Sequence, residues 1–143
     1  MTTIIFLVRH GQTKSNAEGR MSYSDEVLDD SGYAQAHRLS SRLADLPITA
    51  IYTSPLRRAY ETATILNEPH QSALNIVEDL SEIHLGDWEG LPKHDIQERW
   101  PELWKQMATD PSNLVIPNGE SIKELTERAV QAFRNIAQAN QGK

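Results

Sequence analysis

Short apolar runs alternate with longer amphipathic stretches in this chain, and that alternation limits its fold more than any other feature. Ile4–Val8, Ile48–Thr53 and Ala73–Val77 have the length of strands. Between them Ala36, Leu39, Leu43 and Leu46, and then Ala59, Ala63 and Leu66, recur at spacings of three and four, the period of a helix. Strand and helix in alternation predict an α/β sandwich of three layers, α/β/α, with a mainly parallel sheet. Ile4–Val8 is continuously apolar, which suits a strand buried on both faces of such a sheet.

Punctuation residues set the remaining boundaries. Asp29 or Asp30 can cap a helix from Ser31 that Pro47 ends. Ser54-Pro55 opens the next helix, with Pro55 near its first turn. Residues 93–108 read as helix interrupted at Pro101, and residues 120–140 as a long helix with the Ser121/Glu124 spacing of a capping box. Its apolar stripe is Ile122, Leu125, Ala129, Phe133 and Ile136. Residues 11–30 and 80–92 are polar or glycine-bearing and are expected to be irregular. A helix followed by Gly142 and Lys143 normally hands over to another strand. Residues 1–143 are therefore expected to form one domain that stops before its last strand, and to be marginally stable or self-associating alone.

The charge balance narrows the partners. Twenty acidic against 14 basic residues leave a net charge of −6, which argues against nucleic acid as a ligand. No apolar run approaches the roughly 20 residues of a membrane span. The start, Met1 to Phe6, reads as a strand and not as a signal peptide, so cytoplasm is the expected compartment. With no cysteine, thiolate catalysis and cysteine-based zinc sites are excluded. No cofactor and no metal are expected, since no clustered His and carboxylate set has ligand spacing.

Three segments carry chemistry. Arg9-His10-Gly11 stands at the C-terminal end of a strand, where open α/β sheets bind ligands. The arginine fork matches phosphate oxygens, the glycine admits backbone N–H groups, and the histidine can serve as base, acid or nucleophile. Ser54-Pro55-Leu56-Arg57-Arg58-Ala59 again leads from strand to helix, a place that attracts anions; Arg57 and Glu61, four apart, are expected to pair on the surface. In Leu80–Gly90, Glu82, Asp87 and Glu89 are each candidates for a general acid, and spacing does not choose among them. Trp88 is expected to serve packing.

Together these motifs resemble the histidine phosphatase superfamily, the phosphoglycerate-mutase-like family. Its Arg-His-Gly triplet stands as Arg9-His10-Gly11, and a nearby Asn as Asn16. Its Ser-x-Leu-x-Arg-Ala-x-x-Thr-Ala pattern matches Ser54, Leu56, Arg58, Ala59, Thr62 and Ala63. Its Leu-x-Glu-x-x-x-Gly-x-x-Glu-Gly pattern matches Leu80, Glu82, Gly86, Glu89 and Gly90, and its Gly-Glu-Ser helix start matches Gly119-Glu120-Ser121. The resemblance implies His10 as phosphoryl-accepting nucleophile, Arg9 and Arg58 as clamps, Glu82 as proton donor and later base, and Asn16 as a phosphate ligand. It also implies a second catalytic histidine on a strand after residue 143. His37, His70, His84 and His94 lie in none of the family's matching places.

The spacing of 38 positions from Glu82 to Glu120 is the family's short form, typical of phosphatases, and the loop from Gly19 to Leu28 resembles alpha-ribazole phosphatases. The expected activity is a metal-independent phosphoric monoester hydrolase of the histidine acid type, acting on a small-molecule phosphate ester. The alternatives are a phosphoglycerate mutase and a non-catalytic phospholigand-binding or interaction domain. The incomplete site leaves room for an inactive chain. Specificity is expected in residues 20–28 and 92–117, where Trp100 and Trp104 either line a mouth or, more simply, pack.

Overall fold

The computed structural model describes residues 3–142. Helices α1 (Lys14–Glu18), α2 (Asp30–Leu43) and α3 (Arg57–Asn67) precede or flank the strands β1 (Ala50–Thr53) and β2 (Ala73–Ile76). Helices α4 (Lys93–Arg99), α5 (Pro101–Thr109) and α6 (Ile122–Ala139) follow. The fold is α/β with a parallel sheet: β1 and β2 pair in register from Ala50 against Ala73 to Thr53 against Ile76.

Local sequence explains most boundaries. Asp29 caps α2, its side chain accepting from Gly32 N. Pro101 cannot continue the hydrogen bonding of α4, and the helix restarts there as α5. Ser121 and Glu124 close the expected capping box on α6. Two expectations are shifted. Ser54 and Pro55 precede α3 instead of entering its first turn: the helix starts at Arg57, and Ser54 Oγ accepts from Leu56 N at 3.2 Å. The polar stretch after Gly11 is not wholly irregular, because Thr13 and Asn16 form a capping box that nucleates α1.

The larger correction concerns Ile4–Val8. It is not a paired strand buried on both faces. The segment has no regular structure, and Ile4 and Leu7 are 71% and 82% exposed. An apolar run becomes a strand only where a neighbour supplies the ladder, and its backbone N–H groups bond to no other backbone group among the described residues. Thr3 beside it is tied to the end of α6, its Oγ1 donating to Asn140 O at 2.8 Å.

Two packed clusters hold the rest. Leu28, Ala36 and Ile65 join α2 to α3. Trp88, Ile96, Leu114 and Ile116 form a second core, with Trp100 and Trp104 against it. Ile96 is fully buried, which contributes about 1.5–3 kcal/mol. Trp88 and Trp100 meet at 6.4 Å between ring centroids. All three tryptophans thus serve packing. Helix α6 lies against the short 3₁₀ turns at Glu78–Leu80 and Pro111–Asn113; Ile122 of its stripe packs on the Trp88 core, while Phe133 of the same stripe stays 42% exposed. No helix among the described residues is long and apolar enough to cross a membrane.

Candidate active site

The strand-to-helix turn at Ser54–Arg57 aims Arg58 inward. Only 2% of it is exposed, although it is the charged residue next to the exposed Arg57. Its Nη1 donates to Tyr23 O at 2.9 Å and its backbone N to Glu26 O at 3.2 Å. Its Nε has no partner among the described residues, a buried cationic donor left open to a ligand. Arg57 takes the expected surface role, 3.5 Å from Glu61.

Thr62, one turn further on, couples this arginine to the Arg-His-Gly segment. Its hydroxyl donates to Arg58 O at 2.7 Å and accepts from Gly11 N at 3.1 Å. Gly11 therefore spends its N–H within the protein and not on an anion. The need for glycine there is steric: a Cβ would come within 2.5 Å of Gly32 O, where α2 crosses the segment. Gln12 fastens the same contact, its Nε2 donating to Asp29 Oδ2 at 3.0 Å.

His10 is half-buried, and its Nδ1 lies 2.7 Å from Gly11 O. A carbonyl can only accept, so Nδ1 carries the proton and Nε2 keeps its lone pair. Burial holds the imidazole pKa below its ordinary 6.5, and the nearby Arg58 and Arg9 push the same way. The bond to Gly11 O and the charge of Glu82 oppose them. The outcome favours a neutral histidine with a free Nε2. Arg9 is itself exposed. Asn16 is half-buried and spends its Oδ1 on Thr13 N at 3.3 Å, which leaves the amide Nδ2 as the end that can donate outward.

The three carboxylates left open by spacing have separate surroundings. Asp87 accepts from Asn118 Nδ2 at 3.0 Å. Glu89 accepts from Ser24 N, and that bond holds its pKa below the usual carboxylate range. Glu82 is exposed, among the described residues accepts only from the neighbouring Ile83 N at 3.0 Å, and its charge acts on His10 in the direction that raises the imidazole pKa. A cleft of about 590 Å³ runs between Arg58 and Glu82, with Tyr23, His84 and Glu120 on its walls. Of the five expected residues, Arg58 and Glu82 line it; Arg9, His10 and Asn16 do not. Among the described residues no three His, Asp or Glu side chains come together closely enough to hold a metal ion.

Sequence reasoning missed Tyr23, Glu26, Glu120 and Arg128. Tyr23 and Glu26 act through backbone carbonyls, which carry no side-chain signature. Glu120 was noted only as part of a helix start, although its charge position could have suggested a partner eight residues on.

Comparison with known proteins places these features in a context. Residues 5–143 match the histidine phosphatase superfamily (branch 1). The chain is 36% identical over 145 residues to the metal-independent phosphoserine phosphatase of Arabidopsis thaliana, covering 98% of this chain and 60% of that protein. It is 33% identical over 125 residues to the adenosylcobalamin/alpha-ribazole phosphatase of Salmonella typhimurium, covering 87% of this chain and 62% of that protein. The solved structure of Bacillus stearothermophilus YhfR superposes with a TM-score of 0.87 at 36% identity, over 94% of this chain and 67% of that one. The chain thus spans less than two thirds of the length of either relative.

Proposed function

Because the chain belongs to the histidine phosphatase superfamily (branch 1), we propose that it serves the metal-independent hydrolysis of a small phosphomonoester through a phosphohistidine on His10. The observation that carries this reading is a His10 whose Nδ1 lies 2.7 Å from Gly11 O, which leaves Nε2 free, together with a buried Arg58 whose Nε has no partner among the described residues. His10 Nε2 attacks phosphorus as the bond to the ester oxygen breaks. Glu82, in its acid form, gives its proton to the departing oxygen. Arg58, Arg9 and the Asn16 amide hold the three equatorial oxygens, on which the transition-state charge is spread. In the second step Glu82 takes a proton from water, the water oxygen bonds to phosphorus, and the P–N bond breaks to release phosphate. Arginines supply all the positive charge these steps need.

The relatives named as phosphatases support hydrolysis over transfer to a second substrate oxygen. The test is to incubate the intact protein with a ³²P-labelled monoester, quench in alkali and map the label. Label on the peptide containing His10, with release of inorganic phosphate, is expected. Phosphate release with label elsewhere, or a requirement for a divalent cation, would overturn the assignment; label returned to a second hydroxyl of the substrate would indicate a mutase.

A further inference from the structure

Glu82 sits on an irregular segment and is exposed, yet a general acid must be held within reach of one oxygen. The group that orders its segment comes from α6. Arg128 Nε donates to Glu120 Oε1 at 2.6 Å and Nη2 to Glu120 Oε2 at 2.8 Å, a two-bonded pair. Nη1 donates to Asp79 O and Ser81 O, each at 2.8 Å, and Nη2 to Glu82 O at 3.1 Å. A guanidinium has five N–H donors, and every one is used: two on Glu120 and three on carbonyls within the Asp79–Glu82 stretch that carries the acid. Glu120 returns the contact from the other side. Its Oε2 accepts from His84 N at 3.1 Å, and its backbone N donates to His84 O at 2.9 Å. Gly119 permits this approach, since a Cβ there would stand 2.3 Å from His84 O.

We infer that Arg128, braced by Glu120, is the positioning residue that fixes the Asp79–His84 backbone and with it the carboxyl of Glu82. The inference rests on the proposed role of Glu82. Arg128 touches no substrate oxygen in this scheme; it acts through the carbonyls it binds. Both members of the pair hold their charge firmly: the bond from Arg128 lowers the Glu120 pKa, and the bond to Glu120 raises that of Arg128. Lysine, with three donors on a flexible stem, cannot reproduce the five-bond arrangement.

The test compares E82Q, R128A, R128K and the E82Q/R128A double variant of the intact protein on an alkyl phosphate and on p-nitrophenyl phosphate. An alkoxide needs a proton to leave, whereas nitrophenolate does not. R128A is expected to lower kcat on the alkyl phosphate by about 10²-fold, the usual cost of misplacing a reacting group by about 1 Å, and to have far less effect on p-nitrophenyl phosphate. R128K should recover part of the loss. The double variant should be no slower than E82Q, since the two act as one unit. Hydrogen exchange gives a readout free of turnover: amides 79–84 should exchange faster in R128A while those of α4 and α5 do not change. Equal losses on both substrates, additive losses in the double variant, or unchanged exchange at 79–84 would each overturn the inference while leaving Glu82 in place. E82Q losing equally on both substrates would remove the acid assignment itself, and the positioning role with it.

Discussion

On the His10 side of the candidate site the anchoring groups are buried; on the Glu82 side the carboxylate itself is exposed, and the pair that braces its segment, Arg128 and Glu120, is only partly buried. Arg58 and Thr62 are 2% and 4% exposed, lie on one turn of α3, and fasten Gly11 by a single shared hydroxyl. Glu82 is open to solvent, and the backbone that carries it is bound by Arg128, 46 positions later. In the proposed reaction the phosphoryl group would meet the buried side and the leaving alcohol the open one. Such a division suits a scaffold that binds one invariant group, the phosphoryl, beside a variable alcohol.

The largest effect should come from the buried side. H10A is expected to abolish phosphohistidine formation and turnover while leaving the melting temperature within a few degrees, since the ring is only half-buried and bonds locally to Gly11 O. Measurable turnover in H10A would move the nucleophile elsewhere.

On the open side, E82Q should lower kcat by roughly 10²–10⁴ at neutral pH, with the smaller loss on good leaving groups. Loss of similar size in D87N or E89Q, and not in E82Q, would give the role to a carboxylate that is bound to Asn118 or Ser24.

T62V tests the coupling within the buried side. The substitution keeps the shape but leaves the buried Gly11 N–H without its acceptor, a cost of about 1–3 kcal/mol in stability. Thermal or urea unfolding measures it. A neutral T62V would mean that the two motifs are held together by packing alone.

The same asymmetry decides what could be read from the sequence. The Arg9-His10-Gly11 and Ser54–Ala59 segments stood out as candidates because arginine, histidine and glycine are grouped where a chain can meet an anion, while the choice of Arg58 over Arg57 came with the resemblance, and it is Arg58 that is buried. Helices α2 to α6 were legible from period and caps. Spacing did not separate Glu82 from Asp87 and Glu89; the resemblance alone chose it, and the contacts of Asp87 with Asn118 and of Glu89 with Ser24 fit that choice. Arg128 was invisible, because a mid-helix arginine has the same local pattern whether it faces solvent or a distant backbone. Ile4–Val8 failed differently: apolar content predicts burial, but a strand also requires a neighbour's backbone, and no local pattern reports on that.

The smallest effect belongs to Arg9, and it sharpens the comparison because Arg9 and Arg58 act on the same imidazole from unequal depths. Burial is the chief reason that His10 titrates below 6.5, with Arg58 next and Arg9 after it. A depressed histidine makes the folded state bind fewer protons than the unfolded chain between the two pKa values. Its stabilising contribution is thus complete above the ordinary 6.5 and is lost as pH falls toward the lower folded value. Removing a neighbouring cation should raise the folded value and narrow that window. R58Q should therefore move the His10 NMR titration upward, and R9Q should move it upward by less, because Arg9 is exposed and water screens it. Salt provides the control: near 1 M ionic strength the Debye length falls to about 3 Å, and the R9Q difference should vanish while part of the R58Q difference persists. A downward shift in R9Q, or equal salt sensitivity of the two variants, would show that both arginines meet His10 through solvent and that the buried side of the cleft is less dry than the exposure of Arg58 implies.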